Sequence, residues 1–253
     1  MALVSLRNVS KRYGAFAALS DINLDIHAGE VVCVLGDNGA GKSTLIKILA
    51  GLHQPTSGEI HIDSKPVTLD SPAAALDAGI ATVYQDLAVV GQMSVWRNFF
   101  LGQELTSRFG LLRREEMRRI TQEQLQSMGI DLADIEVPVA SLSGGQRQVV
   151  AIARAIYFGA RVVILDEPTA ALGVKQSGMV LRFIATATDQ GVAVILITHN
   201  PHHAYLVGDR FTVLKLGKQV LNVPRAEVSV DDLALQMAGG GELDALQHEL
   251  SRR

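Results

Sequence analysis

The chain has 253 residues, of which 48% are hydrophobic and 19% charged, and its net charge is -3. This composition fits a globular protein of one or two domains, and the lack of a basic excess argues against nucleic acid as a partner. No apolar run reaches the roughly 18 residues of a membrane helix. Polar residues interrupt the N-terminal stretch before any signal-peptide core, and the single cysteine, Cys33, excludes an internal disulfide. We therefore expect a cytoplasmic protein whose membrane role, if it has one, comes through a partner.

Seven β-branched runs mark predicted strands along the chain. The first two, VSLRNV and INLDI, alternate in polarity, and short polar turns such as HAGE indicate an antiparallel section there. The runs VVCVLG and VAVILI, and the centre VVIL of the run RVVILD, are apolar throughout, as in parallel strands that helices cover on both faces. IATVYQ and FTVLKLG complete the set, and residues 93–146 have a helical pattern. The sequence thus predicts an α/β protein with a helical insertion.

The stretch GDNGAGKST lies between the predicted strand VVCVL and the helical segment TLIKILAG, and it matches G-x-x-x-x-G-K-[ST]. In this pattern, backbone N–H groups and a helix N-terminus surround phosphate. We expect Lys42 to reach the β- and γ-phosphates and Ser43 to bind Mg²⁺. The pattern predicts a nucleoside triphosphate site, with adenine and guanine both open, made of Gly36, Asp37, Asn38, Gly39, Ala40, Gly41, Lys42, Ser43 and Thr44.

Two adjacent acidic residues, Asp166 and Glu167, end the apolar run VVILDE. Ligands of an open α/β sheet gather at the carboxyl ends of its strands, so Asp166 is placed to hold Mg²⁺ and Glu167 to activate water as a general base. His199 ends the next run, VAVILITH, and would contact the γ-phosphate if the two strands are neighbours. The alternatives are an ordinary acidic turn for the pair and a structural role for His199.

A second helix start of the phosphate-binding kind lies in LSGGQRQ, far downstream of the first. Ser143 can cap a helix that GQRQVVAIARAIYF continues. One nucleotide does not obviously need both helix starts.

The set GDNGAGKS, Gln85, LSGGQ, VVILDE and His199, in that order, resembles the nucleotide-binding subunit of ABC transporters over nearly the whole chain. The resemblance implies a P-loop NTPase of ABC type, with an ATPase core in residues 1–85 and 159–236, a helical subdomain in 86–158 and a tail in 237–253. It also implies ATP and Mg²⁺ as cofactors and a head-to-tail dimer with a second copy of the chain. Each ATP would then lie between the phosphate loop of one chain and the signature of the other, formed by Leu142, Ser143, Gly144, Gly145 and Gln146.

Further roles follow from the resemblance alone. Tyr13 is similar to the aromatic that stacks on adenine, although by itself it is equally a surface aromatic in a strand turn. Gln85 resembles the glutamine that contacts Mg²⁺ and the attacking water, beside Glu167 and His199. Residues 86–98 would lie in the groove that grips transmembrane permease subunits. The chain would therefore act peripherally at the cytoplasmic face of the membrane, with a periplasmic or extracellular substrate-binding protein as an indirect partner.

One position departs from the family pattern. Where the family commonly has S-A-L-D, this chain has AALG, so Gly173 cannot supply the carboxylate that helps link the two sites. This puts the coupling of hydrolysis across the dimer in doubt, but not ATP binding.

Finer similarity concerns the transported substrate. EPTAALGVKQ and ITHNPHHAY are similar to ATPases of monosaccharide importers for ribose, xylose or fructose, in a single-domain version. The competing hypotheses are a soluble ABC ATPase that acts on nucleic acid or ribosomes and a regulatory module without turnover. In the tail, Leu243, Leu246 and Leu250 fall on one helical face, which predicts a loosely docked terminal helix or, alternatively, a dimer contact.

Overall fold

The computed structural model describes residues 1–130, 132 and 134–238. The described residues form ten strands: β1 (Val4–Tyr13), β2 (Phe16–Ile26), β3 (Val31–Leu35), β4 (Ser57–Ile62), β5 (Lys65–Val67), β6 (Ile80–Val83), β7 (Val162–Asp166), β8 (Ala193–Thr198), β9 (Arg210–Lys215) and β10 (Lys218–Pro224). They also form eight α-helices: α1 (Lys42–Leu49), α2 (Pro72–Asp77), α3 (Val95–Phe99), α4 (Arg114–Ser127), α5 (Gly144–Tyr157), α6 (Val174–Asp189), α7 (Pro201–Val207) and α8 (Val230–Ala238).

The strands make one mixed sheet in the order β5-β4-β1-β2-β10-β9-β3-β8-β7-β6. On one side, β1 pairs antiparallel with both β2 and β4. On the other, β3, β8, β7 and β6 are parallel neighbours. The predicted combination of an antiparallel section with a parallel one is confirmed.

The turn HAGE does not close an antiparallel pair, contrary to our expectation. It joins β2 to β3, and β10 and β9 lie between these two strands in the sheet. All five residues of β3 are buried, and β3 pairs with β8 and β9 instead. A fully buried strand belongs in the parallel centre of the sheet, so a short connection here leads away from the antiparallel section.

Three strands escaped the sequence pattern, and each is weakly apolar. The strand β5 has only three residues and lies at the edge of the sheet. The strand β4 opens with three exposed residues, and β10 alternates between exposed and half-buried positions. Strands with so little buried surface give no clear apolar run.

Helices cover the parallel strands on both faces. Val32 and Val34 of β3 pack in one cluster with Leu45 and Ile48 of α1. Cys33, between them, packs in the other cluster, which includes core residues of α5 and α6. Burial raises the pKa of the Cys33 thiol far above its ordinary value, so this cysteine is an inert core residue rather than a nucleophile.

In residues 86–158 the named α-helices are α3, α4 and α5. Trp96 and Phe99 of α3 pack against the same buried cluster as Met117 of α4 and Val149 of α5.

The division of the chain at residues 85 and 159 stays a prediction. The expected helical face of Leu243, Leu246 and Leu250 lies outside the described residues. Within the described part of the chain, no helix has the length and apolar character needed to cross a membrane.

Candidate active site

The predicted phosphate loop, residues 36–41, connects β3 to α1 at the carboxyl edge of the parallel strands. Its first and last glycines, Gly36 and Gly41, have φ values of +146° and +108°. A Cβ on Gly36 would lie 2.4 Å from the Leu214 carbonyl oxygen, and one on Gly41 would lie 2.9 Å from the Ala18 carbonyl oxygen. Larger residues are therefore excluded at both ends of the loop, whose middle residues 37–39 are exposed.

Lys42, the first residue of α1, is 8% exposed and points back into the loop. Its Nζ donates hydrogen bonds to the carbonyl oxygens of Gly36, at 2.5 Å, and Asp37, at 3.1 Å. The N-cap residue of the helix, Gly41, offers no side-chain oxygen to the first N–H groups, and Ser43 is exposed. A helix N-terminus whose first N–H groups lack a side-chain cap, with a lysine beside it, is a site suited to an anion.

The carboxylate of Glu167 is fixed by the end of the neighbouring strand β8. Thr198 Oγ1 donates to Glu167 Oε2 at 3.2 Å, and His199 Nδ1 lies 2.8 Å from Glu167 Oε1. The Glu167 side chain is 14% exposed and that of His199 is 62% exposed. The strands β7 and β8 are indeed neighbours, as the prediction for His199 required, and the histidine pairs with the acid; its contact with a γ-phosphate stays a prediction.

Asp166, the last residue of β7, carries the least compensated charge in the site. Burial, above all, and the adjacent Glu167 carboxylate raise the pKa of Asp166, while Lys42 partly opposes them. Two adjacent carboxylates that are partly removed from water fit a divalent cation, which offsets both charges. Mg²⁺ takes only one or two carboxylates and keeps several waters. The described residues contain no group of three or more His, Cys, Asp or Glu that could hold a metal.

Gln85 lies at the same edge of the sheet. It follows β6, whose Val83 is the register partner of Leu165 in β7, and it is exposed. Burial is the main cause that raises the pKa of the neighbouring Tyr84 phenol, and the charge of the Asp166 carboxylate raises it further. The chain thus brings Gln85 to the strand end that carries Asp166 and Glu167.

The signature opens α5 with a complete capping box. Ser143 Oγ accepts a hydrogen bond from the Gln146 N–H, and Gln146 Oε1 accepts one from the Ser143 N–H at 2.9 Å. Leu142, at 8% exposure, anchors the loop in the core. The predicted capping role of Ser143 is confirmed, and the glycines Gly144 and Gly145 form the first turn of the helix.

Comparison with known proteins places this arrangement in a family. Residues 19–170 match the family model described as ABC transporter. The chain belongs to the ABC transporter family. It is 42% identical to the xylose/arabinose import ATP-binding protein of Sulfolobus acidocaldarius, over 91% of this chain and 92% of that protein. It is 40% identical to the fructose import ATP-binding protein of Rhizobium meliloti, over 95% of both chains.

A solved structure adds an assembled relative of this ABC protein. A dimeric, post-hydrolysis structure of the ATP-binding cassette MJ0796, bound to ADP and Pi, is 30% identical and has a TM-score of 0.72. The match covers 88% of this chain and 98% of that one. The predicted fold, an ABC-type P-loop NTPase with a mixed sheet, is confirmed.

Tyr13 of the ABC protein lies at the end of β1, opposite Phe16 across the turn, and is 44% exposed. Its ring meets His53 edge-on at a centroid distance of 5.8 Å, and Lys11 Nζ lies 5.2 Å from the ring centroid. A stacked adenine would need the ring face that Lys11 does not cover. The nucleotide contact of Tyr13 stays a prediction, and its position in a strand turn fits the alternative equally well.

Sequence reasoning missed three polar residues that support the site of this ABC protein. Thr198, buried at 1% exposure, binds Glu167 as described above. Thr169 Oγ1 lies 2.9 Å from His203 Nδ1, which ties the segment after Glu167 to α7. A threonine directly before His199 at the end of an apolar strand was the one available signal; nothing in the spacing linked Thr169 to His203.

Proposed function

We propose that this protein is the ATP-hydrolysing, nucleotide-binding subunit that powers an ABC importer for a monosaccharide. The observation that carries the proposal is the Glu167 carboxylate, which Thr198 and His199 hold at the same sheet edge as the Lys42 loop. A carboxylate fixed beside a phosphate-binding loop is what the attack of water on a terminal phosphate requires.

Each residue of the site has a distinct task in this proposal. Lys42 would exchange its bonds to loop carbonyls for bonds to the β- and γ-phosphates, with Tyr13 against the adenine. Glu167 would accept a proton from the attacking water, and His199 would contact the γ-phosphate. Ser43, Gln85 and Asp166 would hold Mg²⁺, which supplies neutralisation of charge on the phosphate oxygens when bound.

A nucleotide bound to the phosphate loop of one chain gives the signature of that chain no role, whereas in a head-to-tail dimer the signature binds the nucleotide of the partner. In that dimer, the residues from Leu142 to Gln146 of one copy complete the site of the other, and a two-fold axis makes both sites alike. The dimeric MJ0796 cassette, with ADP and Pi bound, supports such an assembly. Closure of the dimer on ATP and opening after hydrolysis would drive the attached permease.

The names of two relatives support the proposal that the transported substrate is a monosaccharide. Two relatives at 42% and 40% identity are import proteins for xylose/arabinose and for fructose. This favours transport over the alternative of a soluble ABC ATPase for nucleic acid or ribosomes. We accordingly place the chain at the cytoplasmic face of the membrane, against permease subunits contacted through residues 86–98 and served by a substrate-binding protein outside.

The experiment that tests this function uses Glu167→Gln. Purified protein with Mg²⁺ and ATP should release phosphate, and Glu167→Gln should lower the rate by at least about a hundredfold, because a general base contributes 10²–10⁴-fold. The same variant should elute as an ATP-dependent dimer on gel filtration. Turnover unchanged in Glu167→Gln would remove this residue from the chemistry.

Transport is tested separately, in cells that normally make the chain. Replacing it with Glu167→Gln should abolish uptake of one radiolabelled sugar among xylose, arabinose, ribose and fructose. The matched control is Glu227→Gln, which changes an exposed glutamate far along the chain, after β10, and should leave uptake intact. Normal uptake of all four sugars with Glu167→Gln would reject monosaccharide import while leaving the ATPase assignment standing.

A further inference from the structure

The signature glycines pack directly against two side chains of the same protein. A Cβ on Gly144 would lie 2.6 Å from Leu172 Cδ2 and 3.3 Å from Gln176 Oε1. A Cβ on Gly145 would lie 3.1 Å from Gln176 Cβ. A contact of 2.6 Å is closer than real Cβ atoms approach, so a side chain at Gly144 would require the end of the Leu172 side chain to move. The first turn of α5 therefore rests on the start of α6 without a gap.

Leu172 belongs to the segment that carries the proposed general base. It lies five residues after Glu167, and successive turns connect the two: the Ala170 N–H donates to the Glu167 carbonyl oxygen at 3.0 Å, and the Leu172 N–H donates to that of Thr169 at 3.3 Å. The bond between Thr169 and His203 fixes the middle of this segment. The position of the Leu172 side chain is thus set by the strand end that holds Glu167.

The next residue, Gly173, has no side chain, and even an added Cβ would meet nothing within 4 Å. The contact from this segment to the signature is consequently made by Leu172, and by Gln176 one turn into α6. Both side chains are half-buried, as expected for residues wedged between two helix starts.

We propose that Leu172, supported by Gln176, is a positioning residue that holds the signature glycines of its own chain and so acts on the nucleotide bound by the partner. The inference rests on the proposed head-to-tail dimer. It assigns to a leucine–glycine contact the link between the two sites that Gly173 is not able to provide through a carboxylate. Its distinctive consequence is direction: replacing Leu172 harms the site across the dimer and spares the site on its own chain.

A complementation experiment measures that direction. One chain carries Ser143→Arg, which blocks its signature, and the other carries Lys42→Ala, which disables its phosphate loop; neither alone should hydrolyse ATP. Mixed dimers contain one complete site, built from the phosphate loop and Glu167 of the first chain and the signature of the second. Leu172→Ala is then added to one chain or to the other, and phosphate release is measured in each mixture.

Leu172→Ala on the chain that donates the signature should lower the rate roughly threefold to tenfold, the usual size of coupling effects. On the chain that donates Glu167 it should change the rate less than about twofold, within the scatter of surface substitutions. Leu172→Met on the signature chain should restore the rate. The matched control Val174→Ala, at a side chain 90% exposed, should be silent on either chain.

The outcomes separate the inference from the function beneath it. An inactive mixture of the two parent variants overturns the head-to-tail site, and the inference with it. An active mixture in which Leu172→Ala acts equally on both chains, or only on the Glu167 chain, overturns the inference alone. If Leu172→Ala lowers the melting temperature of both chains, Leu172→Val provides a milder loss of contact for the same comparison.

Discussion

Thr198→Val isolates the hydroxyl that orients Glu167. Valine has nearly the shape of threonine, and Thr198 is buried at 1% exposure, so the substitution keeps the packing and removes only the polar contacts. Two are lost: the bond to Glu167 Oε2 at 3.2 Å and the bond that Thr198 Oγ1 accepts from the Asn200 N–H at 3.1 Å. The carboxylate keeps His199 as a partner, but that side chain is 62% exposed and a weaker restraint.

A hydrogen bond to a charged group contributes about 1.5–3 kcal/mol. At 3.2 Å the bond is longer than the usual O–H···O distance, so the lower end, about 1.5 kcal/mol, applies. We therefore expect kcat for ATP hydrolysis to fall about tenfold, since 1.36 kcal/mol corresponds to a factor of ten. The KM for ATP should stay within about twofold, because an interaction that matters only in the transition state changes kcat and not binding.

The measurement is the initial rate of phosphate release over a range of ATP concentrations, for the parent protein, Thr198→Val and Thr198→Ser. Serine keeps the hydroxyl and should recover most of the rate. The unpaired Asn200 N–H should also lower the melting temperature by about 2–4 °C, the shift expected from about 1 kcal/mol in a chain of this size. A kcat within twofold of the parent, or a loss carried wholly by KM, would refute the positioning of Glu167 by Thr198.

Two further predictions concern the charge of the site and the departure from the family pattern. Because the folded protein raises the pKa of Asp166 above its ordinary 3.8, ionised Asp166 costs stability at pH 7, and that cost is relieved as pH falls through the raised pKa. Asp166→Asn should therefore raise the melting temperature of the protein without nucleotide at pH 7, and this stabilisation should disappear below pH 3.8. The same variant should abolish Mg²⁺-dependent hydrolysis. A lower melting temperature of Asp166→Asn at pH 7 would contradict the raised pKa of Asp166. Gly173→Asp meets no atom within 4 Å at its Cβ, so it should leave the melting temperature within about 2 °C and change the Hill coefficient of hydrolysis, measured by ATP titration; an unchanged coefficient would show that the missing carboxylate has no part in coupling.

The central strands were readable from the sequence because their burial is two-sided. VVCVL and VVIL are apolar without interruption, and the structure buries every residue of β3 and all of β7 except its last residue, Asp166. Motifs at the ends of such strands are then placed by the sheet itself, which explains why His199 lies beside the strand end of Asp166 and Glu167, as predicted. The 2.8 Å contact between His199 Nδ1 and Glu167 Oε1 was not part of that prediction. Strand order was less accessible, since the HAGE turn says nothing of the two strands that separate β2 from β3.

Supporting contacts could not be predicted, because they depend on side-chain directions that no spacing encodes. Thr169 and His203 are 34 residues apart and meet only through the register of β7 and β8. The contact of the signature glycines with Leu172 and Gln176 likewise depends on the close packing of α5 against α6, which the sequence does not show. A glycine pair at a helix start suggests phosphate from sequence alone, whereas the structure gives Gly144 and Gly145 a packing reason as well.

The protein's own side chains balance the charges of the site unequally, and this imbalance predicts where binding free energy is gained. Lys42 is satisfied by two loop carbonyls, and Glu167 by Thr198 and His199. Within the described residues, the Asp166 carboxylate has no hydrogen-bond donor, and burial, followed by the Glu167 charge, raises its pKa. A phosphate group must displace existing partners of Lys42, whereas a cation beside Asp166 displaces none and also relieves the repulsion from Glu167. The free energy that a cation adds to nucleotide binding should therefore come chiefly through Asp166. Lys42 should contribute less, because it gains only the difference between its bonds to phosphate and its present bonds to the loop carbonyls.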